Sequence, residues 1–286
     1  MSLFLVCCFN FQLIPSTCAL TTDWEYEDEI HRLASIPGPL FSFGQNIMRE
    51  KSFMIDSYFE VQEGLEYVYS EWDPMLMYGV TEKTTLTVIF PIISERINRL
   101  SSTGAGNITL NFEHALYNHF EKDSNHQWTI LASLLLPTAK KTHLAAINVN
   151  LAQPSTSFFI GTTAHHISAQ WYVYAAVGAL FGFPSNNTKY GTAILYDFGL
   201  SFPLRDRENS YLSIIFEANG RFRSSDVVDG IIDGLSGNNR IWIGPVFHWV
   251  YSEWTLQCGF QFPISQRFFV PQATPSYRIA FQLSFG

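Results

Sequence analysis

Tyr277-Arg-Ile-Ala-Phe-Gln-Leu-Ser-Phe285, followed by Gly286, is the stretch on which the fold turns. Its odd positions, Tyr277, Ile279, Phe281, Leu283 and Phe285, are large and apolar. Its even positions, Arg278, Ala280, Gln282 and Ser284, are polar or small. Side chains of a strand point alternately to opposite faces, so this period of two predicts a β-strand with one greasy and one wet face. Two settings produce such a strand. One is the half-buried end of a soluble sandwich or barrel. The other is a tilted crossing of a bilayer, which takes about nine to eleven residues. The rest of the chain has to choose between them.

Composition favours lipid. The chain has 286 residues, of which 16% are aromatic and only 15% charged. Typical soluble domains carry about 25% charged residues. The mean hydropathy is only +0.06, and no run of about 18 apolar residues follows the N-terminus, so helical spans are excluded. Alternating strands give this middling average. A net charge of −8 argues against nucleic acid as a partner. Three of the four cysteines, Cys7, Cys8 and Cys18, lie in the first twenty residues, which leaves Cys258 without an internal disulfide partner. No cysteine or histidine spacing fits a metal, and no cofactor is implied.

Residues 1–19 read as a secretory signal peptide ending in Ser16-Thr-Cys-Ala19, with cleavage after Ala19 or lipidation at Cys18 as alternatives. Residues 20–52 include an acidic stretch, Asp23 to Leu33, broken by Pro37-Gly-Pro39. They are expected to form a periplasmic N-terminal segment or partial plug, with a disordered leader as the alternative.

From residue 53 to 286 alternation recurs. It predicts strands at 53–62, 65–80, 84–93, 106–119, 127–137, 156–168, 171–183, 190–204, 210–223, 239–251, 254–264 and 276–285. The run 65–80 is the weakest, because Pro74 interrupts it. The links alternate in length. Short or intermediate ones fall at 81–83, 120–126, 169–170, 205–209 and 252–253, and longer ones at 94–105, 138–155, 184–189, 224–238 and 265–275. Outer-membrane barrels have short periplasmic turns and longer external loops, whereas a soluble sandwich has no reason to alternate in this way. Trp128, Trp171, Phe202, Tyr211, Tyr251, Trp254 and Phe285 fall beside the short links. Phe90, Phe158, Phe181, Phe222, Phe262 and Tyr277 fall near the long ones, as two interfacial belts would require. The reading is all-β: a transmembrane antiparallel up-and-down β-barrel of about 12 strands, in the outer membrane of a Gram-negative cell. Strand 276–285 is expected to pair with 254–264 and to close the barrel onto 53–62.

Several short motifs resemble a known family. Pro74-Met-Leu-Met-Tyr-Gly-Val-Thr-Glu-Lys-Thr-Thr-Leu-Thr-Val-Ile-Phe-Pro91 resembles a hairpin whose first strand ends in Tyr-Gly and whose second ends in Pro. Gly104-Ala-Gly-Asn-Ile-Thr-Leu110, Leu136-Pro-Thr138 and Ile243-Gly-Pro245 follow in matching order, with Asn107 where Asp is usual and Ala139 where Gly is usual. Over residues 53–286 the chain is similar to the outer-membrane channels named after the meta-pathway of phenol degradation. The resemblance implies a barrel for uptake of small organic compounds, aromatic in some members. The apolar face of the last strand (Tyr277, Ile279, Phe281, Leu283, Phe285) resembles the signal read by the barrel-assembly machinery. Gly286 departs from that signal, which usually ends on the aromatic.

Parity places Asp56, Glu60, Glu113, Asp197, Glu217, Arg221, Arg240, Glu253 and Arg278 in the lumen, because exposing them to lipid costs several kcal/mol each. They are the expected lining of a solute path. A charged lumen either holds water or is sealed by ion pairs. Acids outnumber bases in this set, which favours cations or neutral solutes. The expected partners are lipid and a small solute. The expected function is a passive channel or transporter for small, aromatic or hydrophobic, organic solutes. A structural or surface-interaction barrel is the alternative. An enzyme ranks third, since no Gly-x-Ser-x-Gly motif accompanies His165, His166 and Asp197.

Overall fold

The computed structural model describes residues 38–44, 46–65, 67–97, 100–121, 124–139, 155–168, 170–185, 187–207, 210–234, 236–268 and 274–286. The expected signal peptide, its cleavage or lipidation site and residues 20–37 lie outside the described residues. The strands are β1 Phe53–Gly64, β2 Tyr67–Thr81, β3 Thr84–Ile89, β4 Ile92–Ile97, β5 Leu100–Ala105, β6 Thr109–Glu121, β7 Ser124–Leu135, β8 Ser157–Ser168 and β9 Tyr172–Gly182. They continue as β10 Thr188–Lys189, β11 Ala193–Arg207, β12 Ser210–Arg223, β13 Val227–Val228, β14 Ile231–Ile232, β15 Asn238–Tyr251, β16 Trp254–Phe268 and β17 Pro275–Phe285. No helix occurs among the described residues.

These strands form a closed twelve-stranded antiparallel barrel. β3 and β4 pair with the two halves of β2 and make one wall strand, interrupted at Phe90-Pro91. β5 and β6 pair with them and make the next, interrupted at residues 106–108. The short strands β10, β13 and β14 form a separate sheet in the loops. Closure is made by the terminal strand. β17 pairs with β16, and pairs with β1 from Ile55↔Phe285 to Gly64↔Pro275, as its alternation predicted.

The barrel is inside-out relative to a soluble protein. Phe198, Phe216, Phe247, Trp249, Phe281 and Leu283 are each at least two-fifths exposed on its outer surface. Ser213, Thr129, Gln257, Gln261, Glu113 and Glu217 are buried within it. Water on both sides would leave this outer belt as one continuous apolar patch, far larger than soluble monomers expose. Lipid removes the conflict, and the strand ladder closed on itself leaves no unpaired edge in the hydrocarbon.

β2 occupies the run expected as a strand at 65–80, and two prolines explain the break beside it. β2 runs unbroken through Pro74. The Pro74 carbonyl accepts from the Phe90 N–H (3.1 Å). N–H and C=O of one residue in an antiparallel strand point the same way, so the missing N–H of Pro74 faces the Phe90-Pro91 interruption, where no ladder bond is lost. The expected external loop 94–105 is instead the hairpin β4/β5. The intermediate link 120–126 shrinks to residues 122–123, because β6 and β7 run into the turn. The longer links 184–189 and 224–238 contain β10, β13 and β14. Most of 138–155 lies outside the described residues.

Cross-strand pairs lock the register. Gly199 lies directly opposite Tyr174. A Cβ added at Gly199 would come 2.0 Å from Tyr174 Cε1, so the ring fills the space that the glycine leaves. Gly199→Val is expected to displace the buried Tyr174 and to destabilise the barrel by about 1–3 kcal/mol. The measurement is the midpoint of urea unfolding in lipid, and an unchanged midpoint contradicts this packing.

Candidate functional site

The lumen is crossed by the chain that precedes β1. Residues 49–52 first bond to β2 near the short-turn end: Lys51 N–H donates to Gly79 O (2.7 Å), and Gly79 N–H to Ser52 O (3.1 Å). Traced back from there, the segment passes from wall to wall. Met48 N–H donates to Thr85 Oγ1 on β3 (2.8 Å). Asn46 donates its N–H (3.0 Å) and Nδ2 (3.3 Å) to the Glu113 carboxylate on β6. Phe43 packs edge-on against Phe159 of β8, with ring centroids 4.9 Å apart. Ser42 Oγ donates to Asp197 Oδ2 on β11 (3.0 Å). Leu40 and Phe41 donate successive N–H groups to the two oxygens of Glu217 on β12 (2.9 and 3.0 Å). Gly38 O accepts from Gln257 Nε2 on β16 (3.0 Å). We call residues 38–48 the strap.

Carboxylates hold the strap because its backbone has no sheet partner in mid-lumen. Each buried N–H needs an acceptor, and an ionised carboxylate accepts more strongly than a neutral group. The wall also thins to admit it: a Cβ at Gly259 would lie 2.5 Å from Phe41 Cε2 and 2.8 Å from Leu40 Cδ2. Leu40 and Phe41 thereby join Ile167, Tyr172, Tyr174, Ile215, Val246, Ala280 and Tyr58 in an apolar cluster inside the barrel.

Eight of the nine charged residues assigned by parity lie on the inner face or are bonded there. Glu113, Asp197 and Glu217 hold the strap. Asp197 also accepts from Asn219 Nδ2 (2.8 Å). Asp56 accepts from Gln282 Nε2. Glu60 accepts from the Tyr58 hydroxyl and from Gln62 Nε2 (2.5 Å). Arg278 reaches across β16 and β15: its Nε donates to Gln261 Oε1 (2.9 Å) and its Nη2 to Asn219 Oδ1 (3.2 Å). Its guanidinium sits 4.4 Å from the centroid of the Phe41 ring and 5.1 Å from that of Trp242. Arg221 and Arg240 face each other directly across β12 and β15. The ninth, Glu253, is not in the lumen. It lies exposed in the turn between β15 and β16, where Ser252 takes the left-handed φ of 52°. Parity was carried one step past the end of the strand.

Four further inner charges among the described residues stand outside the parity set: Glu71, Asp73, Arg223 and Glu95, the last buried on β4 opposite Tyr69. Glu71 and Asp73 lie on β2 beside Tyr69, whose hydroxyl donates to Glu71 (2.5 Å). Glu71 and Asp73 alternate correctly with Val68, Ser70 and Trp72 in the strand expected at 65–80, but the parity set omits them. Arg223, the last residue of β12, is ion-paired with Asp226. A buried Ser213–His248 pair lies across β12 and β15 with Oγ 3.4 Å from Nδ1. Among the described residues the buried Nε2 of His248 has no hydrogen-bond partner, and no carboxylate orients the ring as a hydrolytic triad requires.

No family model matches the chain, and no curated protein does. Solved structures do. The COG4313 outer membrane channel from Pseudomonas putida F1 aligns over 87% of this chain and 98% of its own, with TM-score 0.65 and 12% sequence identity. The NanC porin aligns over 81% of this chain and 99% of its own, with TM-score 0.49 and 6% identity. LpxR from Salmonella typhimurium aligns over 82% and 99%, with TM-score 0.46 and 8% identity. The strand ladder and the likeness to the Pseudomonas channel define the fold as a twelve-stranded outer-membrane-type barrel. Within it, the overall trace is like that of the Pseudomonas channel, at an identity that shows the fold alone.

Proposed function

We propose that this chain is an integral outer-membrane barrel that passes small organic solutes passively, and that the strap gates the path. The observation that carries the reading is how residues 38–48 are held. A sealed structural barrel fills its lumen with interlocking wall side chains. Here a separate segment crosses it, bonded through its backbone and small polar groups to acids on three wall strands and to the Thr85 hydroxyl on a fourth. Such contacts exchange readily with water once the segment shifts. The luminal residues Asp56, Glu60, Glu113, Asp197, Glu217, Arg221, Arg240 and Arg278 line the path on either side of the strap. The resemblance of residues 74–91 and 104–110 to the channels of phenol-degrading pathways supports organic solutes as the cargo. The outward row of the last strand, Tyr277 to Phe285, is the piece that barrel-assembly machinery would read. The test is single-channel recording in planar bilayers on refolded protein. Brief, discrete openings are expected, and a silent bilayer at every voltage overturns the reading.

A further inference from the structure

Three histidines stand in one row across neighbouring strands. His119 of β6 lies directly opposite His126 of β7, and His126 lies directly opposite His166 of β8. Their neighbours show which face they occupy. Along β7, Trp128 and Ile130 are exposed while Asn125, Gln127 and Thr129 are buried, so alternation points His126 outward. His166 shares the outward face of β8 with the exposed Ile160. The row lies beside the short turns, two residues after the start of β7 and two before the end of β8. Tyr117, Trp128 and Trp171, all exposed, flank it. A ring of such aromatics marks the membrane–water interface, where dissolved ions can reach the row.

Two of the three histidines are brought into contact. The Nδ1 atoms of His126 and His166 are 3.2 Å apart, and the ring centroids 4.4 Å. Both rings are half-buried, and that of His166 also packs on Trp171, with centroids 4.6 Å apart. Two bare lone pairs would repel at this distance, so without a metal one ring places a proton between the nitrogens. A metal ion can take the place of that proton. Two Zn–N bonds of about 2.0–2.1 Å at the tetrahedral angle set their nitrogens about 3.3–3.4 Å apart. The observed separation needs almost no ring movement to match. His119 is not a third ligand, because among the described residues no three His, Cys, Asp or Glu side chains are gathered around one point. The chain supplies two imidazoles and leaves the other coordination positions to water. The pair is 40 residues apart in sequence, so register alone assembles it and no local motif announces it.

We propose that His126 and His166 form a surface site for a divalent transition-metal ion, clamping β7 to β8 at the short-turn rim. Imidazole nitrogen suits Cu²⁺, Ni²⁺ and Zn²⁺, with Cu²⁺ bound most tightly. Mg²⁺ and Ca²⁺ take oxygen ligands and gain nothing from the pair. The site is on the outer surface, away from the strap, so it stands whether or not the barrel conducts.

The test is titration of the full, untagged, refolded chain with Cu²⁺ alone, read by pulsed electron paramagnetic resonance, which counts the imidazoles on the ion. The tightest site is expected to show two. His126→Asn and His166→Asn should each leave one imidazole and weaken binding by at least about tenfold, the lower limit for losing even an outer-shell partner of a bound metal. His119→Asn alters the same row but not the pair, and should bind Cu²⁺ as the parent does. A large excess of Mg²⁺ should leave the signal unchanged. All three variants should keep the heat-dependent gel shift of a folded barrel. Should one fail to fold, the imidazole count of the parent decides alone. Fewer than two imidazoles, unchanged affinity in His126→Asn or His166→Asn, or an equal loss in His119→Asn overturns the site. The pair would then be a plain hydrogen bond between two strands.

Discussion

Alanine at Glu113, Asp197 and Glu217 together should turn a barrel that opens briefly into one that stays open. Each of these carboxylates accepts at least one hydrogen bond from the strap, and Glu113 and Glu217 accept two. A hydrogen bond to a charged acceptor contributes about 1.5–3 kcal/mol, and a buried donor left without one costs a similar amount. About 5.5 kcal/mol suffices to move a two-state element from about 1% to about 99% in its minor form. Loss of three such anchors exceeds that threshold. Single variants should only lengthen openings, because Thr85 and Gln257 still hold the two ends. Changing wall charge also alters conductance directly, so a second variant separates the effects. Leu40→Pro with Phe41→Pro removes both N–H donors to Glu217 and leaves every wall carboxylate in place. Both variants should show long openings in planar bilayers and keep the heat-dependent gel shift of a folded barrel. A triple-alanine barrel with the parent's open probability would show that the strap is no gate.

Period-two patterning made the wall legible because the bilayer enforces it. Phe198 and Phe216 must face lipid, Asp197 and Glu217 must not, and no other arrangement of those strands satisfies both. The same rule failed wherever lipid stops enforcing it. In β4 and β5 the outward positions include Ser94 and Thr103, whose hydroxyls bond to each other (2.8 Å) on an exposed surface. Without a greasy face the hairpin read as a loop. Glu253 was misplaced for the same reason, since alternation has no meaning in a turn. The strand expected at 65–80 is β2, and Pro74 fits within it because the interruption that tolerates it lies in the neighbouring strand; Glu71 and Asp73 are inner positions of that strand which the parity set omits. The destination of the strap left no trace in sequence. Glu217 binds the N–H groups of Leu40 and Phe41, which every residue except proline carries, so nothing about residues 38–48 announces their partner. The expectation of a partial plug drew only on the acidic stretch Asp23 to Leu33 and on Pro37-Gly-Pro39.

Arginine placed on the outer surface at two depths should distinguish lipid from water as the surrounding medium. Phe216 and Phe53 are almost equally exposed, 52% and 53%. Phe216 sits at the middle of β12, paired with Leu200 and Pro245. Phe53 is the first residue of β1, at the end where the turns are short. If the exposed face meets water, the two substitutions are equivalent, and each changes stability by about 0.5 kcal/mol or less. In a bilayer the guanidinium at mid-strand must either enter hydrocarbon or draw water into it. The penalty there is about 2–4 kcal/mol, against about 0–1 kcal/mol near the interface, where the side chain reaches the headgroups. Phe216→Arg should therefore lower the urea unfolding free energy in vesicles by about 3 kcal/mol, and Phe53→Arg should be close to neutral. The contrast depends on depth alone, since residue type, exposure and inserted charge are matched. Equal losses at the two positions would mean that the belt defined by alternation is not a membrane-spanning surface. The strap would then be crossing the interior of a soluble barrel, and its carboxylate anchors would be core contacts with nothing to gate.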